Sequence, residues 1–146
     1  VVWESDHPEA KAIHLHPKQM GGAILSLDWM NPKESWKWAG PNWDKFVNTS
    51  LVNRFVGVEI QAENPEDMKN TWQSVLNLKS ERVTGNQINL DNTWIRFLED
   101  EDGRGAGVSA FCLEADDNDK LFEKASDLGL VYEDNIMIGG VKFLLS

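Results

Sequence analysis

Residues 54 to 146 repeat one order of elements, and that duplication limits the fold more than any other feature of the chain. "RFVGVEIQA" alternates as a strand does. "NPEDMKNTWQSVLN" then reads as a helix, with Asn64 at its N-cap, Pro65 in its first turn and Met68, Trp72, Val75 and Leu76 at helical spacing. Two strands follow, "NQINLD" and "TWIRFLED", joined through an Asp-Asn turn. After the loop "EDGRGAG" the order recurs: "GVSAFCLEA" as a strand, "DNDKLFEKASDLG" as a helix closed by Gly129, and "NIMIGGVKFLLS" as a strand pair around Gly139 and Gly140. A helix laid across a small, mostly antiparallel sheet buries one sheet face and leaves the other free to curl around a cavity. Two such units side by side make a split barrel.

Three extended pieces precede the repeat: "VVWE", "AIHLHP" and "GAILSLD", separated by "SDHPEA" and "PKQMGG". We read residues 1–28 as a β-strand arm, 29–51 as a Trp-rich linker and 52–146 as the duplicated domain. The linker has no sustained periodicity but holds Trp29, Trp36, Trp38 and Trp43. Those indoles could cup a planar or cationic ligand. Fastening the connector by covering apolar area is the better use of them. The arm's open strand edges need cover, so a homodimer is expected.

Length and charge narrow the function. At 146 residues the chain suits one domain with an attached arm, and two full domains would be cramped. A formal net charge of −10 argues against a nucleic-acid partner and against an acidic membrane surface. Cys112 is the only cysteine, so no intrachain disulfide forms, and a reducing, cytoplasmic setting is the expectation. The N-terminus has neither a signal-peptide pattern nor a starting methionine, and reads as a cut from a longer chain.

"VGVEIQAENPEDMKNTWQSVL" and "GVSAFCLEADD" together resemble the vicinal oxygen chelate superfamily, which includes glyoxalases, bleomycin-resistance proteins and extradiol dioxygenases. The likeness covers about two thirds of the chain and implies an α+β fold of paired βαβββ-type modules forming a split barrel, here with an N-terminal β arm. "HLHPKQMGGAILSLD" is similar to the epimerase-like end of such a module, which makes residues 1–28 the tail of a preceding one.

The family's enzymes hold a divalent ion between His, Gln and Glu side chains from both halves, leaving open positions for vicinal substrate oxygens. Carried over position by position, the ligand sites fall on Gly57 or Val56, on Val108 or Gly107, and on Ser26. None of these can bind a metal through its side chain as the family's ligands do, so no metal and no cofactor is expected. His14 and His16 would leave the same face of a strand and could form a two-ligand platform, with Glu59, Gln61 or Glu114 as a third ligand. We read them instead as a hydrogen-bonded surface pair.

On the face away from the helices, Gly57, Glu59 and Gln61 oppose Val58, Ile60 and Ala62, and Val108, Ala110, Cys112 and Glu114 oppose Ser109, Phe111 and Leu113. Glu59, Gln61, Trp94, Arg96 and Glu114 are therefore the candidate ligand-binding residues, and Glu59 is a possible general base. Arg96 suits a carboxylate or phosphate, although an arginine in an antiparallel strand is more often an exposed partner for an acid. "DGRGAG" opens no helix and reads as a flexible turn, not a phosphate loop. Two functions follow: metal-free binding of a small organic ligand in a barrel cavity, or a divalent-metal lyase, isomerase or dioxygenase using an atypical set such as His14, His16 and Glu59.

Overall fold

The computed structural model describes residues 1–146, which divide into two compact units, Val1–Val47 and Asn48–Ser146. In the first, β1 (Trp3–His7), β2 (Ala10–Leu15) and β3 (Leu25–Met30) form an antiparallel sheet in that order. Alternation along β2 buries Ala10 and Ala12, and cross-strand pairing sets Ala12 opposite Ser5 and Asp28.

Helix α1 (Pro17–Met20) interrupts the run from β2 to β3. Proline lacks the N–H that a strand ladder requires, and it disfavours helical backbone at the residue before it. His16 therefore stays extended, and its Nδ1 accepts the amide of Lys18 at 3.0 Å, capping α1. Single-turn 3-10 segments, Lys33–Ser35, Lys37–Ala39 and Trp43–Phe46, complete this unit. The expected linker at 29–51 thus begins inside β3 and lies mostly within the first unit. Its indoles anchor it: Trp38 Nε1 donates to Asp28 at 2.9 Å, and Trp43 Nε1 donates to the Ser35 carbonyl at 3.2 Å.

The second unit is the duplicated α+β architecture that the repeat predicts. One module is β4 (Arg54–Ala62), α2 (Pro65–Val75), β5 (Val83–Thr84), β6 (Gln87–Asn89) and β7 (Trp94–Glu99). The other is β8 (Gly107–Glu114), α3 (Asn118–Asp127), β9 (Val131–Tyr132), β10 (Asn135–Ile138) and β11 (Val141–Leu145). The eight strands lie in the order β5-β6-β7-β4-β8-β11-β10-β9. Each module's first strand pairs in parallel with its last, and the two first strands pair antiparallel at the centre. The order reads alike from both ends, as a split barrel of two βαβββ modules does.

Both helices start where short-range chemistry allows. Asn64 Oδ1 accepts the amide of Asp67 at 3.1 Å, and Asp117 Oδ1 accepts that of Lys120 at 2.9 Å, each satisfying an otherwise orphaned N-terminal donor. Met68 and Trp72 are buried four residues apart on α2, and the Trp72 ring meets Phe97 edge-on with centroids 5.7 Å apart. With Ile60, Ile88 and Ile95 they form the core beneath that helix. Gly139 and Gly140, at φ 61° and 82°, supply the consecutive left-handed residues that a tight β10–β11 hairpin requires.

Candidate functional site

Directly paired residues in neighbouring strands share a sheet face. Two rows of side chains follow on the face away from α2. One runs Gln87, Arg96, Glu59, Ala110 and Lys142; the next runs Asn89, Trp94, Gly57, Cys112 and Leu144.

Arg96 is held from several directions. Its Nε and Nη2 both donate to Gln87 Oε1, at 3.1 and 3.0 Å, and its Nη1 donates to Glu59 Oε1 at 3.1 Å. The guanidinium carbon lies 4.4 Å from the Trp94 ring centroid, a cation–π stack. The Glu59 side chain is 12% exposed and that of Arg96 43%. The carboxylate therefore meets a guanidinium.

Gly57 explains how Trp94 lies so flat. A Cβ at this position would fall 2.3 Å from Trp94 Cε2 and 2.4 Å from Cδ2, so the indole occupies the space that a side chain would take. A glycine inside a strand commonly marks such a close approach. Gly57, one of the two positions expected to match a ligand site, is thus covered by an aromatic ring.

Of the five expected ligand-binding residues, the structure brings Glu59, Trp94 and Arg96 together. Gln61 is buried and committed elsewhere: its Nε2 donates to Asp102 Oδ1 at 2.7 Å, Gly105 O at 2.9 Å and Asp100 Oδ1 at 3.1 Å. Glu114 sits at the other end of β4's pairing with β8, where Arg54 Nη2 and Nε reach its two oxygens at 2.8 and 3.1 Å. That mutual hydrogen bond raises the Arg54 pKa and lowers that of Glu114. Gln87, which sequence alone did not single out, completes the hold on Arg96.

Nor is the loop after β7 a free turn. Asp100 accepts the amides of Gly103 and Gly105, each at 2.9 Å, and Asp102 accepts the amide of Arg104 at 3.0 Å. The Arg104 side chain, the Gln61 amide and the Arg104 backbone, in that order of effect, hold the Asp102 carboxyl well below the usual range. Arg104 also donates to the Gly140 carbonyl.

Cys112 is buried next to this polar row. Burial, and then the charge of Glu59, push its thiol up to about 11, against a smaller opposing effect of Arg96. It is a neutral thiol at physiological pH.

His14 and His16, expected as a hydrogen-bonded surface pair, take separate roles. His16 caps α1, while the His14 ring packs on Trp3 with centroids 4.7 Å apart. No group of three or more His, Cys, Asp or Glu side chains is arranged to hold a metal ion. Two hollows in the second unit, about 470 and 480 Å³, are lined by Glu63 and Glu99 among others, and neither includes Glu59, Trp94 or Arg96. The candidate residues lie on an open sheet face instead of in either hollow. No helix is long and apolar enough to cross a membrane.

Fold and site together define an α+β chain whose second unit is a duplicated βαβββ domain with a braced arginine on its polar sheet face. No family profile matches the sequence, and no curated protein matches it. Among solved structures it is similar to methylmalonyl-CoA epimerase from Mycobacterium tuberculosis, with a TM-score of 0.45 and 18% identity over 68% of this chain and 90% of that one.

Proposed function

We propose that the second unit binds a small organic molecule on the polar face of its sheet, at Trp94, Arg96 and Glu59, without a metal ion. The observation that carries this reading is the fixed Arg96 side chain, stacked on Trp94 and braced by Glu59 and Gln87, yet still 43% exposed. Holding a long, flexible side chain in one geometry costs conformational entropy, and a preorganised group of this kind recovers that cost when a ligand meets it. A divalent-metal enzyme is the weaker alternative, because its atypical ligand set has lost His16 to a helix cap and His14 to Trp3. The lone cysteine also fits a reducing compartment, and we propose the cytoplasm as the location.

A thermal-shift screen of small aromatic and acyl compounds tests the reading, since a ligand that binds only the folded form raises the melting temperature. Binders are expected to lose their effect in Trp94→Ala. Shifts that persist unchanged in that variant would place the ligand elsewhere. Stoichiometric Zn, Fe, Mn or Ni in protein purified without chelator, lost on His14→Ala and His16→Ala, would restore the metal enzyme.

A further inference from the structure

We infer that the ligand is a small organic carboxylate, bound end-on to Arg96 on the sheet face that also carries Lys142; this rests on the site proposed above. Arginine carries five N–H donors in a rigid plane. Three of them serve Gln87 and Glu59, which leaves one on each terminal nitrogen. Two donors held on one planar group match the two oxygens of a carboxylate.

The neighbouring strands supply the rest of the site. Glu59 pairs with Ala110, and Ala110 with Lys142, so a second cation lies across the same row. Ala110 and Cys112, between the two cations in these rows, are small and covered by their neighbours. Lys142 makes none of the chain's ion pairs, whereas Arg96 is already paired with Glu59. Two cations and one acid give this row a local positive excess on a chain of net charge −10.

The test compares molecules that differ only in the charged group: benzoate against benzamide, and hexanoate against hexanamide. Ligand-observed NMR and thermal shift are read on wild type, Arg96→Lys, Arg96→Gln, Lys142→Ala and Trp94→Ala. The carboxylates are expected to bind and the amides to bind at least about tenfold more weakly. Arg96→Lys keeps the charge but loses the fork, and is expected to weaken benzoate and hexanoate by about tenfold or more. Lys142→Ala should cause a smaller loss. Thiol protection at Cys112 in each variant reports that the unit remains folded.

Equal binding of acid and amide, abolished by Trp94→Ala, would overturn the carboxylate while leaving the site in place. Binding indifferent to both Arg96 and Trp94 would overturn the site itself. Failure of benzoate and hexanoate to bind at millimolar concentration would overturn the ligand class proposed here.

Discussion

Gly57→Ala tests the packing on which the site depends. The residue is absent from the positive-φ positions, so alanine can adopt its backbone, and the change is one of space alone. An added Cβ would lie 2.3, 2.4 and 2.6 Å from three atoms of the Trp94 indole. Carbon atoms rest about 3.5–4.0 Å apart, so the ring must retreat by roughly an ångström or more. Overpacking of this kind costs about 1–3 kcal/mol, and retreat from Arg96 removes part of a cation–π contact worth about 0.5–1 kcal/mol. The entropy that alanine removes from the unfolded chain returns about 0.4–1 kcal/mol. A net loss of about 1–2 kcal/mol is expected, with the melting temperature of a domain this size falling by about 4–8 °C per kcal/mol. With Trp94→Ala in the same chain the clash disappears, and Gly57→Ala should become neutral or stabilising. Because the chain has two units, a global signal need not be two-state. Pulsed alkylation of Cys112 across a urea gradient avoids that difficulty, since the only thiol lies buried in the second unit. Equal cost of Gly57→Ala in both backgrounds would refute the argument that Trp94 occupies the glycine's vacant space.

Four further outcomes are expected. At pH 8 the Cys112 thiol, pushed up to about 11, should react with iodoacetamide roughly a hundredfold more slowly in native than in urea-unfolded protein; Glu59→Gln should speed the native reaction and Arg96→Gln slow it. The folded Asp102 carboxyl is depressed, so its contribution is complete above the ordinary carboxylate range near pH ~4 and is lost as pH falls through the folded value. Asp102→Asn should accordingly speed amide exchange at Arg104 and Gly105 at neutral pH, with the difference from wild type closing in strong acid. Asn64→Ala removes the α2 cap and should cost about 1 kcal/mol, read from the urea midpoint of Cys112 labelling. Finally, β1 and β3 each keep one edge unpaired, and we propose that a second copy covers them; sedimentation giving a monomer mass at every concentration would refute the dimer.

The elements legible in the sequence are those whose signal is local. Asn64-Pro65 and the buried pair Met68 and Trp72 define α2, and alternation in "VGVEIQA" separates Ile60 from Glu59. Strands β5 and β9, of two residues each, are too short to show any periodicity, and they exist because β6 and β10 offer an edge. The capping role of His16 was available from Pro17, since a residue before proline cannot continue into a helix and a strand cannot run through proline. Gln61 was readable as an inward residue of β4 but not as a loop anchor. Its partners lie 39 to 44 residues away and meet it only because β7 runs parallel beside β4. Gly57 offered a signal of its own. A strand glycine implies something pressed against it, and the pairing of β4 with β7 makes that neighbour Trp94.

The duplicated scaffold carries its chemistry once. Corresponding rows in the two modules are Glu59–Arg96–Gln87, across β4, β7 and β6, and Ala110–Lys142–Met137, across β8, β11 and β10. The first row is linked by hydrogen bonds through Arg96; the second offers a small residue, an unpaired lysine and a thioether. Two equivalent sites would require like residues at like positions, and these rows share only a cation on the last strand. One half therefore carries the braced guanidinium and the other a lone distant charge, so the ligand we propose would span the β4–β8 seam asymmetrically. Lys142→Gln would test this division, because it removes the distant charge and none of the hydrogen bonds that hold Arg96: hexanoate binding should weaken, and no loss would mean that the ligand does not cross the seam.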